Sequence, residues 1–123
     1  DLKHMDAEKH RFYTGVYPER IWSNLSRLAE DPRLREKITI RTPLIHEVND
    51  SEADLEVLGD FMNQLGLETV HLLPYHRMGL SKAREAGLEQ PAFETPPDSV
   101  LEQARERLRQ HRLHVEIMGR EEM

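Results

Sequence analysis

Asp1, Lys3, Arg41 and His76 are the side chains in this 123-residue chain whose types and positions suit ligand binding. Arg41 closes the β-branched run Lys37-Ile38-Thr39-Ile40-Arg41-Thr42, and His76 follows Leu72-Leu73-Pro74-Tyr75. Asp1 and Lys3 would share the same rim if a preceding strand ended at Asp1. In α/β units, ligand-binding groups gather at the C-terminal ends of strands. A carboxylate, an amine, a guanidinium and an imidazole converging there can hold a ligand with a carboxylate, an amine and ribose hydroxyls. Arg and Lys bind carboxylates, and Asp accepts from hydroxyl or ammonium groups. Taken singly, each has a plainer reading: a surface ion-pair partner, a loop histidine, or a residue at a frayed terminus. Their coincidence on one rim is what favours a site.

The elements that must position them follow from periodicity. Ile21, Trp22, Leu25, Leu28 and Ala29 recur at helical spacing after Pro18, and Asp31-Pro32 closes the run. The alternating run from Lys37 to Thr42 predicts a strand that Pro43 ends. Ser51 and Asp54 form a capping-box pair ahead of Leu55, Leu58, Phe61, Met62 and Leu65, and Gly66 suits the stop of that helix. Thr69 to Leu73 is mostly apolar, which predicts a second strand covered on both faces. No long periodic pattern spans Pro74 to Glu94. Thr95 reads as an N-cap, with Pro96 at the first helical position and Val100, Leu101, Ala104 and Leu108 as the stripe. Leu113, Val115 and Ile117 then alternate as a final strand. Helix, strand, helix, strand, helix, strand is the α/β order of parallel strands joined by crossovers, in a single unit over residues 1–123. Three parallel strands rarely stand alone, so we expect either another chain on the sheet or a larger barrel.

Composition removes several chemistries. The chain has no cysteine, which excludes disulfides, thiolate metal sites, a cysteine nucleophile and a self-contained iron–sulfur cluster. Asp plus Glu total 23 against 17 Lys plus Arg, a net charge of −6. That balance argues against a sequence-independent grip on nucleic acid or on an anionic membrane. No apolar run is long enough to cross a bilayer and no signal peptide is visible, which points to a soluble, cytoplasmic chain. There is no phosphate loop, nucleophile elbow or His-Glu-x-x-His, so we assign no catalytic residue and no metal ligand. His111 and His114 straddle a helix–strand junction without a third ligand near in sequence, which disfavours zinc. His4 and His10 read as solvated, and His71 as a hydrogen-bonded sheet residue.

Several short strings, in this order and spacing, resemble one family along nearly the whole chain. They are Asp1-Leu2-Lys3-His4-Met5-Asp6, Tyr13-Thr14-Gly15-Val16, Ile40-Arg41, Asn49-Asp50-Ser51, and Leu72-Leu73-Pro74-Tyr75-His76-Arg77-Met78-Gly79 with Ser81-Lys82. The resemblance is to the C-terminal half of the glycyl-radical-enzyme activating enzymes, the pyruvate formate-lyase activating enzyme group of the radical S-adenosylmethionine superfamily. The chain departs from that pattern at His46-Glu47, where family members commonly carry Pro-Gly.

The resemblance implies the C-terminal portion of a partial (β/α)6 barrel, so this chain would be a piece of a longer protein. Such enzymes carry an upstream Cys-x3-Cys-x2-Cys motif for a 4Fe–4S cluster and a Gly-Gly-Glu motif for S-adenosylmethionine. They take an electron from a donor such as flavodoxin or ferredoxin, cleave S-adenosylmethionine reductively, and remove a hydrogen from a backbone glycine of a partner glycyl radical enzyme. By the same resemblance, Asp1 would lie at the ribose or a monovalent-cation site, and Lys3 and Arg41 would contact S-adenosylmethionine. His76, with Leu73 and Pro43, would line the adenosine end, and the segment after Pro74 would face the partner. Alone, the chain is expected to be inactive and to bind neither cofactor. The alternative is a non-catalytic α/β binding or assembly module that pairs through an exposed sheet edge, including with a second copy of itself.

Overall fold

The computed structural model describes residues 1–75 and 93–119. In chain order the elements are α1 (Ala7–Thr14), α2 (Glu19–Ala29), α3 (Pro32–Arg35), β1 (Thr39–Leu44), α4 (Glu52–Leu65), β2 (Thr69–Pro74), α5 (Asp98–Gln110) and β3 (His114–Ile117). The strands form one parallel sheet in the order β1-β2-β3. The α/β class with parallel strands is therefore as expected. None of the described helices is long and apolar enough to cross a membrane.

Local chemistry explains most boundaries. At α4 the capping box is present: Ser51 Oγ accepts from the Asp54 N–H while the Asp54 side chain accepts from the Ser51 N–H. Gly66, at φ 72°, ends α4 in the left-handed conformation that glycine adopts without a Cβ clash. Sequence periodicity misses α1, because Ala7–Thr14 has no apolar stripe. Its signals are Asp6, which accepts from the Lys9 N–H, and Gly15 at φ 83°. Helix α5 starts later than expected: Pro97 is its N-cap, and Thr95 Oγ1 donates instead to the Tyr75 carbonyl.

Both sequence-expected strand ends need correction, since β1 runs through Pro43 to Leu44 and β2 through Pro74. The reason at Pro43 is direction. The Leu44 carbonyl accepts from Tyr75 N–H on the β2 side, whereas the Arg41 carbonyl accepts from Leu2 N–H on the opposite side. Residues 41 and 43 therefore turn their main-chain groups away from β2, and a proline there costs the ladder nothing.

The core lies on one face of the sheet. Ile40, Leu44, Val70, Leu72 and Val115 pack against Leu55, Leu58 and Met62 of α4 and Leu101, Ala104 and Leu108 of α5. The other face carries Thr39 and Arg41, which are exposed, Pro43, Thr69, His71 and Leu73, which are half-buried, and His114 and Glu116, which are exposed. This overturns the expectation that β2 is covered on both faces: its burial alternates, with Val70, Leu72 and Pro74 inside. Alternation is what a parallel strand shows when helices cover one side only.

Candidate functional site

The open face of the sheet and the C-terminal end of β1 collect the polar side chains. Arg41 lies within β1, not at its end, and it is the register partner of His71, which is in turn the register partner of Glu116. Partners in a parallel ladder share a face, so these three form a row across the open side. His71 Nε2 stands 3.5 Å from Glu116 Oε2. Sequence reasoning did not find Glu116, because nothing along the chain marks the register that brings it to His71.

The first residues lie along the free edge of β1. Leu2 is buried and its N–H donates to the Arg41 carbonyl at 2.9 Å. Asp1 and Lys3, on either side of it, are exposed. Asn49 holds this arrangement. Its buried side-chain amide donates to the Lys3 carbonyl at 2.9 Å and to the Pro43 carbonyl at 2.6 Å, and its oxygen accepts from Ile45 N–H at 2.9 Å. One side chain thus ties residue 3 to the end of β1.

Two histidines expected to be solvated are buried. His4 Nε2 bonds the Val48 carbonyl at 2.8 Å while its Nδ1 accepts from Asp6 N–H, which fixes the Nε2–H tautomer. His10 Nδ1 bonds the Val16 carbonyl at 2.7 Å and has Thr14 Oγ1 at 3.0 Å. Their partners are backbone carbonyls, which no sequence pattern advertises. Tyr13 stacks near His4 and meets Phe93 edge-on, and Phe93 in turn meets Tyr75. Beneath these rings is a cavity of about 310 Å³ whose lining includes Lys3, His10, Tyr13, Pro43, Val48 and Phe93. It suits an apolar body with a polar or anionic edge, the usual character of a small-molecule pocket. His76 lies outside the described residues.

The turn after β1 contains the departure noted at His46-Glu47. Glu47 sits at φ 64°, a conformation that a glycine adopts without strain. Asp50 compensates: its carboxylate accepts from His46 Nδ1 at 2.8 Å and from Glu47 N–H at 2.8 Å. The hydrogen bond to Asp50 holds the His46 imidazole above its ordinary value, since it favours the charged ring.

No protein-family model matches the chain. It is 36% identical to the choline trimethylamine-lyase activating enzyme of Oleidesulfovibrio alaskensis, over 96% of this chain and 39% of that protein. It is 40% identical to the 4-hydroxyphenylacetate decarboxylase activating enzyme of Clostridioides difficile, over 72% of this chain and 28% of that one. The chain therefore spans well under half the length of these curated relatives. Its homologues are glycyl-radical-enzyme activating enzymes, the group its residues resemble. One solved structure it matches is a domain of the pyruvate-formate lyase-activating enzyme from Bacteroides vulgatus ATCC 8482, at a TM-score of 0.76 and 29% identity over 97% of this chain and 65% of that one.

Proposed function

We propose that this chain is the C-terminal part of a radical S-adenosylmethionine activating enzyme that installs a glycyl radical on a partner enzyme. The observation that supports this reading is the docking of Asp1-Leu2-Lys3 along the free edge of β1, with the Leu2 N–H on the Arg41 carbonyl and the Lys3 carbonyl held by Asn49. A parallel sheet left open on one face needs a cover, and the relatives' additional length supplies the material for one.

The family implies two bound groups, and the side chains present suit one of them. A 4Fe–4S cluster requires thiolates and this chain has none, so the cluster ligands belong to the portion of the relatives that it does not match. S-adenosylmethionine fits better. Arg41 and Lys3 offer charge to a carboxylate, Asp1 can accept from ribose hydroxyls, and the ring-lined cavity beside Lys3 takes an apolar body. When bound beside a reduced cluster, S-adenosylmethionine supplies the one-electron cleavage chemistry. The residues of this chain bind and orient: Asn49 and His4 fix the main chain around Lys3, and the β1–β2 ladder fixes Arg41. His76 and the segment after Pro74 complete the adenosine end and the surface toward the glycyl partner in this reading, with a flavodoxin or ferredoxin as electron source.

The gene that encodes the chain tests the proposal. A Cys-x3-Cys-x2-Cys motif and a Gly-Gly-Glu motif are expected upstream of Asp1 in the same reading frame. A frame without the cysteine motif would overturn it.

A further inference from the structure

We infer that His111 and Asp60, with Asn63 beside them, form a binding site for a divalent transition-metal ion at the junction of α4 and α5, on the far side of the molecule's core from the open sheet face. Glu56, Asp60 and His111 are the group among the described residues whose ligand atoms lie within 4.8 Å of one another. The arrangement around the imidazole gives each member a different role. Asn63 Nδ2 lies 3.2 Å from His111 Nδ1 and donates to it, so Nδ1 carries the lone pair. His111 Nε2 then bears the proton and lies 3.2 Å from Glu56 Oε2. That is the arrangement of a metal-binding histidine, whose second nitrogen donates to a carboxylate that sets the ring plane and raises its basicity.

On the lone-pair side, Asp60 Oδ1 is 3.6 Å from His111 Nδ1. Two ligands each about 2.0–2.1 Å from a tetrahedral zinc ion stand roughly 3.3 Å apart, so Asp60 needs only a small side-chain rotation. Asp60 is exposed and free to make it. Asn63 can turn its amide oxygen to the same point, and water would fill the remaining position. The imidazole is already immobilised: it lies so close over Gly59 that a Cβ there would come within 2.5 Å of it. Its side chain is 12% exposed.

Charge favours a cation. Glu52, Glu56 and Asp60 occupy successive turns of α4, and Arg107 contacts only the first two of them. Asp60 is paired with the His111 imidazole instead, at the carbonyl-rich C-terminal end of α5. An imidazole with one carboxylate and one amide suits zinc or nickel better than magnesium or calcium, which prefer all-oxygen shells.

The experiment is calorimetric titration of the untagged chain with Zn²⁺ at pH 7.5, repeated with Asp60→Asn, His111→Asn and Glu56→Gln, each checked for folding by circular dichroism. The expected result is one saturable site, lost in Asp60→Asn and weakened about tenfold in Glu56→Gln, the size typical of losing a ligand's supporting partner. Should His111→Asn unfold, the exposed Asp60→Asn decides alone. An absence of saturable binding, or an affinity unchanged by Asp60→Asn, would overturn the inference.

Discussion

His71 and Glu116 meet across the β2–β3 ladder, Nε2 to Oε2 at 3.5 Å, in the row that also contains Arg41. Both members of the pair are on the uncovered face, so water screens it. Exposed pairs of this kind contribute about 0–1 kcal/mol. Glu116→Gln should therefore move the urea midpoint only slightly. A loss above about 2 kcal/mol would show that this pair holds the sheet together, contrary to its exposed position.

Asn49 is a different case, because its amide is buried and makes three hydrogen bonds. Asn49→Ala leaves the Lys3 and Pro43 carbonyls and the Ile45 N–H without that partner. An unsatisfied buried group costs about 1–3 kcal/mol, so a loss of roughly 2–4 kcal/mol is expected in urea unfolding. The N-terminal segment should also detach from β1. Amide exchange at Leu2 should accelerate far more than exchange at Val70, and equal acceleration at both would contradict the assignment of Asn49 as the tie.

Glu47 occupies the left-handed region without being glycine. A non-glycine residue there loses about 1–2 kcal/mol, against about 0.5–1 kcal/mol of added chain entropy for glycine. Glu47→Gly should thus raise stability by under about 1 kcal/mol, measured as the change in melting temperature. The Glu47 carboxylate stands 3.9 Å from His46 Nε2 on an exposed side chain, a contact of little worth, and a clear destabilisation would mean that this contact outweighs the backbone cost.

The His46–Asp50 contact makes the same turn sensitive to pH. Hydrogen bonding to Asp50 raises the folded-state value of His46 above its ordinary 6.5. The stability it contributes is fully present below that ordinary value and is lost as pH rises through the raised folded value. Melting temperatures measured from pH 5.5 to 9 should show this decline, and Asp50→Asn should flatten it. An unchanged slope in Asp50→Asn would place the titration elsewhere.

Much of this fold is legible in sequence because its signals are local. The stripe Leu55, Leu58, Met62 marks α4, Ser51 and Asp54 mark its start, and the apolar runs around Ile40 and Val70 mark β1 and β2. Pro43 misleads because its effect depends on which edge its nitrogen faces, and a sequence does not state that. Helix α1 escapes notice because two caps define it in place of a stripe. At the site, Arg41 and Lys3 are visible as charges near strand ends. The burial of His4 depends on the Val48 carbonyl, 44 residues away, and the His71–Glu116 pair depends on register. Both are products of tertiary packing.

In the proposed function, Arg41 and Lys3 bind S-adenosylmethionine within a larger activating enzyme. The most direct measurement is formation of 5′-deoxyadenosine from S-adenosylmethionine under reducing, anaerobic conditions, using the complete product of the gene reconstituted with iron and sulfide, with and without Arg41→Ala. Turnover by the native protein is expected and, for Arg41→Ala, an intact cluster with a KM for S-adenosylmethionine raised about tenfold or more, the worth of a charge-assisted hydrogen bond. A reconstituted protein that forms no 5′-deoxyadenosine, or an Arg41→Ala variant with an unchanged KM, would contradict it.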